Sequence, residues 1–271
     1  MKASANGRLL IALALVVIWA CITVFGGLAQ SGQGSLANLV AQHIVWATPA
    51  AALFLLVSAR LLGWRDLGMN APRPASSVKL VWLLALYILA LAALAATRGE
   101  VTSQMFLIIA INTAFVGFSE ELAFRGVLWG AARKAMAFWP GVIFVSACFG
   151  GVHILNALIT GELGEAGVQA LNAFLSGLAY LALRIRTRSL LPIMIAHWLW
   201  DLAIFLSVSG RNVGGSTQDA ASPLIGLAVV APIALYGLWL IRKRQFHSVT
   251  DDVPDVTRPS LDANTERKLY L

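Results

Sequence analysis

Charge is scarce in this chain. Only 12% of its 271 residues are Asp, Glu, Lys or Arg, whereas 59% are hydrophobic and the mean hydropathy is +0.78. Soluble domains carry about 25% charged residues, so the composition excludes one and describes a polytopic membrane protein. Acidic residues are the scarcer sign, 13 against 20 Lys and Arg, for a net charge of +7. In a soluble protein that excess would suggest nucleic acid. Here the bases lie between hydrophobic segments, where they set topology, and no nucleic-acid partner is expected. Cysteine is nearly absent. Cys21 and Cys148 both fall in apolar stretches, match neither a disulfide framework nor a metal spacing, and are expected to be small core residues. No HExxH zinc motif and no internal repeat is present.

What the chain has in quantity is apolar runs long enough to span a bilayer. Eight spans are expected, at about 9–28, 39–62, 78–96, 103–132, 138–158, 168–183, 190–208, and one ending at Ile241. The first follows Lys2 and Arg8 and is read as a start-transfer segment, because its apolar core exceeds the 7–15 residues of a cleaved signal. Between the spans lie a polar stretch at 30–38, a basic loop at 60–79 containing Pro72 and Pro74, an acidic loop at 160–167 and a Gly/Ser-rich loop at 209–222. His43 is expected to be a polar packing residue, and Trp64, Trp139 and Trp239 to be interfacial anchors.

The basic residues fit one alternation. Seventeen of the twenty Lys and Arg residues fall in the N-terminus, the even-numbered loops and the tail. Both termini are therefore expected in the cytoplasm. The expected organisation is an all-α transmembrane domain over 1–245 and a polar cytoplasmic tail over 246–271. A bacterial cytoplasmic membrane is the expected location.

Against this background one stretch stands out. Glu120, Glu121 and Arg125 fall within six residues inside an otherwise apolar run. Each charged group costs about 2.5–3.5 kcal/mol at the centre of a spanning helix, so three together require partners or water. On a helix Glu121 and Arg125 stand at i and i+4 and can pair, which leaves Glu120 free for chemistry. Further along, Phe149-Gly150-Gly151-Val152-His153 lies in the fifth span, with the glycines allowing close backbone approach or loosening the helix. His197 and Asp201 share one face of the seventh.

This set admits three chemistries. Glu120 with His153 can activate water while His197 stabilises an oxyanion. Glu120, His153 and His197 can hold zinc. Gly117-Phe118-Ser119 is a partial echo of a serine-nucleophile motif. Asn156 is a candidate to orient His153.

The ordered motifs Glu120-Glu121-x-x-x-Arg125, Phe149-x-x-x-His153 and His197-x-x-x-Asp201 resemble those of the CAAX protease and bacteriocin-processing (CPBP/Abi) family of intramembrane glutamic endopeptidases. The resemblance covers about residues 103–207. It implies an eight-helix bundle with a membrane-embedded cavity and a peptide or protein substrate. By the same resemblance Glu120 and His153 activate the water, His197 and Asp201 form the oxyanion site, and Glu121 and Arg125 support it. No cofactor is expected, zinc being the alternative. The family often has Asn where this chain has Asp201, and an ionised carboxylate only accepts hydrogen bonds. A catalytically silent membrane interaction or self-immunity protein is the competing function within the same family.

Overall fold

The structure, a computed structural model, describes residues 4–97, 101–209 and 223–243. The expected tail at 246–271 and nearly all of the Gly/Ser-rich loop lie outside the described residues. The described chain is helical, with no strand among these residues. Its helices are α1 (Ala5–Ser31), α2 (Leu36–Gln42), α3 (Ala47–Leu61), α4 (Ala75–Ala96), α5 (Ser103–Ala135), α6 (Phe138–Thr160), α7 (Leu163–Thr187), α8 (Leu191–Ser209) and α9 (Pro223–Leu240). Ser4, Ser35 and Thr102 cap the starts of α1, α2 and α5 by accepting a backbone N–H with their hydroxyls. Connections of two or three residues join α5 to α6, α6 to α7 and α7 to α8, so these neighbours run antiparallel.

Six of the helices are long and apolar enough to cross a membrane, namely α1 and α4 to α8. The expected second span is not continuous. α2 and α3 meet at an 86° bend and count as a seventh crossing only if taken together, while Gly226–Leu240 within α9 is a shorter apolar helix. The break is held by side chains. Asn112 of α5 donates to the carbonyls of Val40 (2.8 Å) and His43 (2.9 Å) and accepts from the Val45 N–H at 2.9 Å. Gln30 donates to the Ile44 carbonyl and accepts from the Trp46 N–H. Irregular backbone is tolerated at membrane depth only where protein satisfies it in this way.

Two further expectations change. The acidic stretch is not a loop: Gly161, in the left-handed conformation at φ 77°, ends α6, and α7 starts at Leu163 with Glu165 in its first turn. Cys21 is exposed rather than in the core, because it lies on the outer face of α1.

The core runs through α1 and α3 to α9, with Phe124, Leu128, Leu181 and Ile193 fully buried. Close approach of backbones sets the depth of the helices. Gly117 of α5 lies against Trp198 and Met194 of α8, and Gly150 of α6 lies against Ala170 of α7. Of the glycine pair only Gly150 serves contact; a Cβ at Gly151 would meet nothing within 4 Å.

At one end of the bundle Asp66 gathers three cations: Arg8 at 2.6 Å, Lys134 at 2.7 Å and Arg133 at 3.2 Å. Arg8 also sits over the Trp64 ring, 4.5 Å from its centroid. This hub joins the start of α1, the α3–α4 connection and the end of α5.

Candidate active site

The charged cluster sits where α5 changes its winding. The helix is α-helical to Glu121 and π-helical from Leu122 to Leu128, all seven residues of that turn being buried. π-turns inside helices are frequent at functional sites. The expected ion pair is present, with Arg125 Nη1 3.0 Å from Glu121 Oε1, both side chains 0% exposed. Arg125 lies over the Phe149 ring at 3.9 Å, and its other terminal nitrogen points at the Gly177 carbonyl at 3.4 Å.

Glu121 does more than neutralise Arg125. The same Oε1 is 2.8 Å from His197 Nδ1. A carboxylate engaged with arginine is an acceptor, so Nδ1 carries the hydrogen and His197 Nε2 is the nitrogen left to face Glu120 and Asp201. Nε2 is 3.7 Å from Glu120 Oε2 and 3.5 Å from Asp201 Oδ2. On the other side His153 Nδ1 lies 2.7 Å from the Phe149 carbonyl, which can only accept. His153 Nε2 therefore faces the cluster, 4.0 Å from the same Glu120 Oε2. His153 owes its position to the α6 winding, which tightens into a 3₁₀ turn over His153–Asn156.

The fold thus brings Glu120, His153, His197 and Asp201 together from three helices. The side chains of Glu120, His153 and Asp201 keep 17%, 13% and 19% exposure, while Glu121 and Arg125 behind them keep none. Asn156 is not the orienting group; it donates to Gln169, and the Phe149 carbonyl holds His153 instead. Ser119 is fully buried and accepts from the Trp19 indole at 2.7 Å, which makes it a tie between α1 and α5. Tyr180 of α7 is a member of the cluster that sequence reasoning misses. Its ring stacks on His197, with centroids 5.2 Å apart and planes 16° apart. No spacing signals it, since it comes from a helix with no other residue of the cluster.

Imidazole and carboxylate suit zinc, but among the described residues no three His, Cys, Asp or Glu side chains are disposed to hold an ion.

A multi-pass helical membrane protein whose polar centre is built by three spans from three carboxylates, two histidines and a buried arginine is the class this architecture defines. Residues 102–203 match the family model described as Type II CAAX prenyl endopeptidase Rce1-like. The match spans the motif-bearing part of the chain, which resembles that protease family, within the CAAX protease and bacteriocin-processing group, and contains every residue of the cluster. No curated protein and no solved structure matches the chain.

Proposed function

We propose that this protein is an intramembrane endopeptidase in which Glu120 and His153 activate a water and His197, one turn from Asp201, donates to the oxyanion. One observation carries the reading: Glu120 Oε2, without a hydrogen-bond partner, faces His153 Nε2 at 4.0 Å and His197 Nε2 at 3.7 Å. These separations are too long for direct hydrogen bonds and suit a bridging water. Glu120 takes one proton of that water as its oxygen adds to the peptide carbonyl carbon, and His153 Nε2 accepts from the other. The carbonyl electron pair moves onto oxygen, where His197, protonated at Nε2, donates a hydrogen bond. When the intermediate collapses the C–N bond breaks, and the amine leaves with the proton held by Glu120.

Glu121 fixes the His197 ring, and Arg125 keeps Glu121 charged and in place. The substrate is a peptide; a peptide with an isoprenylated cysteine near its C-terminus is one form to test beside unmodified peptides. The deciding experiment is cleavage by purified protein and its Glu120→Gln variant. The variant is expected to lose activity and retain wild-type thermal unfolding, and a wild-type rate would remove Glu120 as the base. Activity is expected to survive chelation. Stoichiometric zinc, lost together with activity and restored with it, would make Glu120, His153 and His197 ligands instead.

A further inference from the structure

The oxyanion site as drawn is short of a donor. His197 offers one N–H, and Asp201, as a carboxylate, offers none. Its Oδ2 is 3.5 Å from His197 Nε2, beyond hydrogen-bond range. Tyr180 stands beside this gap. Its ring is 3% exposed and lies parallel to the His197 imidazole at 5.2 Å, so the phenol has little freedom to turn. Side chains on a helix lean toward its N-terminus. α7 and α8 are antiparallel, so that lean carries the Tyr180 hydroxyl along α8 in the direction from His197 to Asp201. The hydroxyl lies within electrostatic reach of Glu121, Asp201, Arg125 and Glu120, and Arg125 sits over the ring at 5.5 Å. Among the described residues no hydrogen bond occupies it.

We propose that the Tyr180 hydroxyl is the second hydrogen-bond donor to the oxyanion in this protein, taking the part that Asp201 cannot perform. Tyr180 is then a catalytic residue as well as the stacking partner of His197. The inference rests on the proteolytic reading above, and the two fail in different ways.

The test uses full-length purified protein and a panel of internally quenched peptides, with and without an S-farnesyl cysteine four residues from the C-terminus. Tyr180→Phe keeps the ring and removes only the hydroxyl. It is expected to lower kcat on the order of a hundredfold, the usual loss of one oxyanion donor, with KM within about twofold and unfolding temperature unchanged. In an Asp201→Asn background, where the side chain can donate, the same change is expected to cost less than about fivefold, since the two donors then share one task. Tyr180→Phe with wild-type kcat, alongside an inactive Glu120→Gln, overturns the inference and leaves the protease standing. Equal losses in the wild-type and Asp201→Asn backgrounds overturn the claim that Tyr180 replaces a missing donor. Folded wild-type protein that cleaves no peptide of the panel overturns the proteolytic reading and this inference with it.

Discussion

Glu121 shows how much one oxygen atom can hold. Its Oε1 meets Arg125 at 3.0 Å and His197 at 2.8 Å, with no solvent on the side chain. Glu121→Gln therefore removes the charge that Arg125 needs and turns part of an acceptor into a donor opposite His197. Breaking a buried pair costs about 3–5 kcal/mol, so the variant is expected to unfold at lower temperature. It should also lose activity at temperatures where it is still folded, because the His197 ring is no longer fixed. Folded Glu121→Gln with a wild-type kcat would confine Glu121 to stability. Asp201 makes the complementary case. It does not fix the tautomer of His197, a task Glu121 performs through Nδ1, so its charge is dispensable. Asp201→Asn and Asp201→Leu are both expected to keep kcat within about tenfold, since neither removes a donor to the oxyanion. Initial rates at several pH values check both, and a collapse of the Asp201→Asn variant would show that the negative charge is required.

At the scale of helices, the distances within the site depend on how closely α8 approaches α5. A Cβ at Gly117 would lie 2.9 Å from the Trp198 nitrogen and 3.2 Å from the Met194 carbonyl. Both are backbone atoms in a helix that is also tied to α5 by the Trp198 indole on the Ala110 carbonyl, 2.9 Å away. Gly117→Ala must push α8 outward, moving His197 away from Glu121 and Glu120. The expected cost is about 1–3 kcal/mol of stability, with a larger proportional loss of kcat. Gly151→Ala is the control. Nothing lies within 4 Å of its added methyl, so it should be neutral or stabilise by up to about 1 kcal/mol. Thermal unfolding and cleavage rates of the two variants make the comparison, and equal behaviour would show that the close approach at Gly117 does not position the site.

Across the whole molecule, the Asp66 hub ties together segments far apart in the chain. Burial alone would raise the Asp66 pKa, but Arg8 and Lys134 hold it well below the usual carboxylate range. A carboxyl whose folded pKa lies below its unfolded value of about 3.9 adds stability above that value and loses it as pH falls through the folded value. The stabilisation is therefore complete at neutral and mildly acidic pH and disappears only in strong acid. Asp66→Asn is expected to unfold at a lower temperature than wild type, with a constant difference from about pH 7 to pH 5 that shrinks below about pH 4. A difference that grows on acidification would contradict the assignment.

Composition and order along the chain determined the helical membrane class, the positions of most spans, the pairing of Glu121 with Arg125 and the set Glu120, His153, His197 and Asp201. These are local quantities: bilayer thickness selects apolar runs, and helical periodicity places residues four apart on one face. The bend between α2 and α3, the hold of Glu121 on His197, the Phe149 carbonyl behind His153 and the stacking of Tyr180 were decided only by the tertiary structure. Each depends on the rotation and depth of one helix against another, which small residues such as Gly117 and Gly150 set by letting backbones touch. No spacing within a single span records that relation, because the partner atoms lie on a different helix.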